Sequence, residues 1–306
     1  MAVSTSTTLA ADLQTYFSKR LLDINAKDQV LQTAAYKENI PSNASKTISF
    51  TQYSRLAVPG AVLTEGTTPT DTTVSNAAIT AVVDQWGAFV TLTDIAELTV
   101  KHPVVGQLEM LLGEQANETI ETQINTVLVA GTTVAYGGAP AASRVALAVG
   151  DVMSTTVLQR ALKTLRVNGA RPVENGNFVL FVDPSVEQDL LADSTFKTAA
   201  QFGNTAKTGE SYSKGAVLGV WFGIEVRRSN VIPVIASTTT VHTSYLVGRN
   251  AYAMTTLQNL ETYVEAPGGV SDPLHQRRTI GWKVAFKAVI LNQNFMIRIE
   301  TGSAFN

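Results

Sequence analysis

Apolar and polar positions change period several times along the chain, and each change marks an element. Between Thr47 and Thr51, Ile48 and Phe50 alternate with Thr47, Ser49 and Thr51, the two-residue period of a half-buried strand. Beyond Leu56 come Pro59, Gly60, Gly66 and Pro69, which punctuate a long turn. A second strand signal starts at Ile79 and runs through Trp86 to Leu92. Residues 46–92 therefore read as a projecting hairpin with too few apolar side chains to bury itself. Its expected resting place is a neighbouring copy of the chain.

Upstream, Leu9, Leu13, Tyr16, Phe17, Leu21 and Ile24 recur at helical spacing, and Val30, Leu31, Ala34 and Ala35 continue the stripe to about Lys37 before Pro41 stops it. Two readings stay open: a helix on its own body, or an arm on a neighbour. Downstream, Asp94 with Glu97 has the form of a capping box, and His102-Pro103 restarts a helix. Val104, Leu108, Leu111, Leu112, Ala116, Thr119, Ile120, Ile124, Val127 and Leu128 predict a strut of about 27 residues, or roughly 40 Å, closed by Gly131.

The second half alternates shorter pieces. Residues 131–150 are weakly patterned. Asp151 is expected to cap a helix bearing Leu158, Ala161, Leu162 and Leu165 and ending at Asn168-Gly169. Phe178 to Val182 is continuously apolar, as in a strand buried on both faces, and Asp183-Pro184 opens another helix. Residues 194–215 lack periodicity. Ala216 to Val226 returns to a core, and Val231–Val234 and Ser244–Gly248 read as strands around a turn at Ser237–Thr240. Last, Ile280, Trp282, Val284, Phe286, Ala288 and Ile290 face away from Lys283 and Lys287. With Asn292–Asn294 as the turn and Phe295, Ile297 and Ile299 returning, the pattern predicts an antiparallel hairpin with one solvated face.

Composition narrows the function. The chain has 306 residues, 45% hydrophobic and only 16% charged, against about 25% charged in an ordinary globular protein. So little charge implies much surface hidden in a core or in subunit contacts. Cysteine is absent, which excludes disulfides, thiolate metal sites and thiol nucleophiles. No basic and apolar leader and no membrane-length apolar run is present, so a soluble cytoplasmic protein is the expectation. A net charge of -2 gives no reason to expect a phosphate-neutralising nucleic-acid binder.

Candidate chemistry does not assemble. The three histidines, His102, His242 and His275, lack ligand spacing and are read as one helix cap and two loop residues. Glu114, Glu118 and Glu121 share a helix face but no Glu-x-x-His follows, so they read as a solvated face or an interface charge stripe. Ser194-x-x-Lys197 and Ser211-x-x-Lys214 match an acyl-enzyme pattern two residues wide without its companions. Arg227-Arg228 and Arg277-Arg278 read as salt-bridge partners, with weak, sequence-independent contact to packaged nucleic acid as the sharper alternative. No catalytic, cofactor-binding or metal residue is nominated.

The order of the pieces resembles the α+β major capsid fold of tailed phages, the Hong Kong 97 type. The wording of Lys46 to Phe50, Tyr53 to Leu56, Leu63 to Pro69, Gln85 to Asp94 and Gly113 to Thr119 resembles the capsid proteins of N4-type podoviruses in particular. Phe178 to Pro184, Phe196, Gly219 to Pro233 and Gly281 to Lys283 match more loosely. The resemblance implies an N-terminal arm at 1–45, an E-loop hairpin at 46–93, a spine helix and peripheral domain at 94–150, an axial domain at 151–255 and peripheral return strands at 256–306. It implies hexamers and pentamers in an icosahedral shell around double-stranded DNA, assembled in the host cytoplasm, with no cofactor. Portal and decoration proteins are implied partners, and a separate scaffolding protein, or none, since no long N-terminal scaffold segment is seen. The E-loop tip, Leu63, Thr64, Glu65, Gly66, Thr67, Thr68 and Pro69, is the expected assembly contact. An encapsulin-like nanocompartment shell shares the fold and is the alternative. A soluble enzyme built on the 194–215 loop is the third reading.

Overall fold

The computed structural model describes residues 30–41, 43–60, 62–68, 71–99, 104–138, 143–173, 176–194, 217–266, 268 and 272–305. In chain order the elements are a 3₁₀ turn at Leu31–Thr33, then β1 (Tyr36–Asn39), β2 (Thr47–Tyr53), β3 (Asn76–Val82), β4 (Asp84–Thr93), α1 (Asp94–Thr99) and α2 (Val104–Val129). There follow β5 (Val134–Tyr136), α3 (Thr155–Val167), β6 (Phe178–Val182), α4 (Pro184–Ala192), β7 (Val217–Trp221), β8 (Ile224–Arg228), β9 (Val234–Ala236), β10 (Thr240–Val247), β11 (Tyr252–Glu265), β12 (Arg277–Ile290) and β13 (Met296–Thr301).

Three sheets result. A four-stranded sheet runs β1-β11-β12-β4; a seven-stranded sheet runs β5-β13-β10-β6-β8-β7 with β9 beside β10; β2 and β3 form a sheet of their own. Helix α2 joins the first two. Its buried side chains Leu112, Ala116, Ile120, Ile124 and Leu128 repeat every fourth residue, a nearly straight ridge along a helix of about 39 Å. That ridge packs on Trp282, Val284 and Phe286 of β12 and also on Val179, Phe181, Tyr245 and Val247 of the larger sheet. Two hydrogen bonds fix its position: Trp282 Nε1 donates to Gln115 Oε1 (3.1 Å), and Tyr245 Oη donates to Asn125 Oδ1 (2.7 Å). The far face of the seven-stranded sheet, with Phe178, Leu180, Val182 and Leu246, packs under α3 and α4. β6 is buried at all five positions, as a continuous apolar run requires.

Several sequence expectations are corrected. The part of the expected N-terminal helix at 30–37 is a 3₁₀ turn followed by edge strand β1, parallel to β11; residues 1–29 lie outside the described residues. Helix α3 begins at Thr155, not at an Asp151 cap. The Asp151 carboxylate accepts Ala148 N–H (2.9 Å), while Asp193 accepts both the Thr155 N–H and its hydroxyl (3.0 and 3.1 Å). At α1, Glu97 lies beside Arg278 (3.5 Å), and Thr93 Oγ1 takes the Ala96 N–H (3.4 Å). The strand expected at Val231–Val234 starts only at Val234, just after Pro233, which has no N–H for a ladder. The C-terminal hairpin is not a hairpin. β12 belongs to the four-stranded sheet and β13 to the seven-stranded one, because Leu291 and Asn292 N–H both turn in to Ala251 O (2.9 and 3.1 Å) and carry the chain across.

Glu121 also departs from expectation. It is fully buried, not a solvated stripe. Its carboxylate accepts Leu31 N–H (2.9 Å) and Gln32 N–H (3.2 Å), and Tyr252 Oη donates to Leu31 O. The segment at 31–33 is thus held by a helix carboxylate and a sheet phenol. Burial outweighs these hydrogen bonds and raises the Glu121 pKa above its ordinary value. A raised folded pKa means that the folded state holds the proton more tightly than the unfolded chain. This contribution to stability is therefore full below the ordinary carboxylate range and is lost as pH rises through the raised value. Glu121→Gln should flatten that part of the pH–stability curve in urea titrations. Glu121→Ala, which leaves a buried donor unmet, should cost about 1–3 kcal/mol.

Candidate assembly interface

Strands β2 and β3 pair from Thr47↔Val82 to Tyr53↔Asn76. Only the root of this hairpin is packed. Val83, just past β3, is buried with Ile40 and Ala285, and Ile48 and Leu257 close over them. Val83 N–H donates to Lys46 O (3.0 Å), and Tyr36 meets Phe50 edge-on at 6.4 Å. Beyond Tyr53 the last ladder-like contact is Ser54 N–H to Ser75 O (2.9 Å).

Residues 62–68, which include Leu63, Thr64, Glu65, Gly66, Thr67 and Thr68, are all exposed. Thr67 N–H donates to Thr64 O (3.2 Å), a turn closed by Gly66 at φ 79°, a conformation that suits glycine. Pro69 lies outside the described residues. Of the apolar side chains around that turn the sequence reading nominated Leu63 but not Val58, Val62 or Val74. Val62 is 95% exposed and Leu63 74%, and Leu56, Val58 and Val74 are exposed too. A soluble monomer seldom carries such a run of uncovered apolar groups, and a run of this kind marks an interaction surface.

A second uncovered surface lies on the four-stranded sheet. Phe89 is 74% exposed, and Tyr263 and Val264 are half exposed. A groove of about 580 Å³ runs past Trp86, Gly87, Phe89, Tyr263 and Gly281. A Cβ at Gly87 would come within 2.7 Å of Trp282 O, and one at Gly281 within 2.9 Å of Phe89 Cβ. These two glycines therefore let β4 and β12 approach closely beneath the groove.

No reaction centre forms among the described residues. No group of three or more histidine, aspartate and glutamate side chains is close enough to hold a metal. His242 is on strand β10, not on a loop, and its Nδ1 lies 2.8 Å from Asp183 Oδ2, buried at the start of α4. His275 occupies a turn at φ 55°; His102 lies outside the described residues, as do Lys197, Ser211 and Lys214. Three arginines of the two doublets are engaged as salt-bridge partners: Arg227 with Glu225 (2.7 Å), Arg228 with Glu187 (3.8 Å) and Arg278 with Glu97 (3.5 Å). Glu300, fully buried, accepts two bonds from Arg144 (2.8 and 2.6 Å) and pins the 144–146 turn to β13.

A two-sheet body on one long helix, with a hairpin that buries only its root, defines a subunit made to be completed by other copies. The profile of the phage capsid protein family matches residues 61–299, and the chain belongs to that family. No curated protein matches it. Solved capsids share the fold. The capsid of Helicobacter pylori bacteriophage KHP30 is 12% identical at TM-score 0.77, covering 99% of this chain and 98% of that one. Cyanophage Pam1 is 12% identical at 0.74 (100% and 99%), and cyanophage P-SCSP1u is 17% identical at 0.71 (98% and 96%). The fold is the α+β Hong Kong 97 type, and the chain is a structural subunit of a phage head shell, a major capsid protein.

Ile40→Ala should open the hairpin root at a cost of about 2–5 kcal/mol. Urea titration should show the loss, and protease cutting between residues 54 and 75 should rise with it.

Proposed function

We propose that copies of this chain form hexamers and pentamers of an icosahedral head, assembled in the host cytoplasm around double-stranded DNA, in the manner of the N4-type podoviruses. The branch rests on the phrases at 46–56, 63–69, 85–94 and 113–119. The observation that carries the mechanism is the exposed tip at 62–68 on a hairpin buried only at its root. The tip lies on the adjacent subunit, and burial of its apolar groups drives assembly at about 25 cal/mol per Å² before entropic costs. Weak contacts suffice because a closed shell engages many at once.

In this reading residues 1–45 are the N-terminal arm, 46–93 the E-loop, 94–150 the spine helix and peripheral domain, 151–255 the axial domain and 256–306 the peripheral return. Portal, scaffolding and decoration proteins are the partners of the finished head, and contact with the packaged DNA is weak and blind to sequence. The nanocompartment reading would replace DNA by protein cargo, and nucleic acid in purified particles decides between them.

The tip itself is testable. Leu63→Asp and Glu65→Ala should each leave monomer stability within about 0.5 kcal/mol, as exposed substitutions do, and Pro69→Ala should lower assembly more than folding. Leu63→Asp, by removing about 1.5–3 kcal/mol of burial per contact, should cut particle yield by about tenfold or more in electron micrographs. Equal loss of folding and assembly would contradict the proposal.

A further inference from the structure

The cations of this chain are unevenly partnered. Arg144, Arg227, Arg228, Arg278 and Arg298 each lie within 4 Å of a carboxylate. Helix α3 is different. Its exposed side carries Arg160, Lys163 and Arg166, and the helix contains no acidic residue. At about 100° per residue these three fall within a sector of about 120°, spread over about 9 Å of axis. The chain leaves the helix at Gly169 and reaches Arg171, whose carbonyl accepts Arg249 N–H (2.8 Å). Both arginines are exposed. Their backbones meet because Gly248 lacks a side chain: a Cβ there would come within 3.0 Å of Arg171 O. Among the described residues none of these five cations has an ion-pair partner.

We propose that this surface, Arg160, Lys163, Arg166, Arg171 and Arg249, is where the shell holds the phosphate backbone of the packaged duplex. The inference rests on the capsid reading and assigns its DNA contact to residues other than Arg227, Arg228 and Arg278, which carboxylates already occupy. Four of the five are arginines, whose planar fork matches phosphate oxygens. A duplex offers one charge per about 1.7 Å of axis, so a 9 Å track meets roughly five phosphates whatever the sequence. An acidic protein would need carboxylates at matching places, whereas a duplex presents phosphates in any register. It follows that the face of the seven-stranded sheet covered by α3 and α4 points into the lumen.

The test uses the full chain, as dispersed subunits and as assembled particles. Binding of a labelled mixed-sequence 30-base-pair duplex to dispersed subunits is followed by anisotropy across salt. Five neutralised phosphates predict a slope of log K against log salt of about −4.5, an affinity loss of about 500-fold between 50 and 200 mM. The variant R160Q/K163Q/R166Q should lower the slope to about −2, and R171Q/R249Q to about −3; both keep the far-UV circular dichroism of the parent. A bulky amine-reactive polymer should leave Lys163 unlabelled in intact particles and label it after dissociation. An unchanged slope in both variants, tighter capture of polyglutamate than of DNA, or labelling of Lys163 in intact particles overturns the inference while the capsid reading stands. Failure of the parent chain to form particles at all would instead count against that reading.

Discussion

The apolar ridge of α2 is the constraint on which the rest of the structure depends. One helix of 26 residues serves two sheets. Gln115 ties it to Trp282 of the four-stranded sheet, and Asn125, ten residues on, ties it to Tyr245 of the seven-stranded sheet. Those anchors are about 15 Å apart along the axis. A sheet face of ordinary width cannot cover so long a ridge, so both sheets must dock on it, and their relative angle is set by where they do. The side-chain amides at the anchors matter as much as the apolar packing. Each satisfies an aromatic donor that burial would otherwise leave unmet.

The same helix also fixes the base of the hairpin. Glu121 reaches from α2 to the turn at 31–33, and Tyr252 reaches from β11 to the same turn. β1 follows at once and adds to the edge of β11. That edge leads to Ile40 and to the small apolar cluster with Val83 and Ala285. The hairpin therefore springs from a fixed root. Past the root, two strands paired only with each other cannot bury Val58, Val62, Leu63 or Val74. A projecting apolar tip and an uncovered sheet groove are different patches of one molecule. Shell formation is the natural use of such a shape.

Much of this was legible in the sequence because the periods were clean. The four-residue ridge from Leu112 to Leu128 gave the strut helix to within a few residues, the run from Phe178 to Val182 gave a doubly buried strand, and Gly66 marked the turn at the tip. What was illegible has identifiable causes. β11 escaped notice because irregular registers between Thr256 and Glu261 break its two-residue alternation. The path after Ile290 could not be read as a crossing between sheets, since Phe295, Ile297 and Ile299 alternate as a hairpin strand would. Glu121 looked like a surface residue because nothing local records that Leu31 and Gln32, some ninety residues earlier, supply its donors. Of the candidate site, the turn was found and its apolar neighbours were not, because Val58, Val62 and Val74 follow no period.

The central claim is that the hairpin beyond its root acquires its order from a neighbouring copy. Amide hydrogen exchange of residues 54–75, compared between dispersed subunits and assembled particles, tests it most directly. The account predicts exchange near the unprotected rate in dispersed subunits and strong protection in particles, with α2 protected in both. Protection of 54–75 already present in the dispersed chain, or still absent in particles, would contradict it.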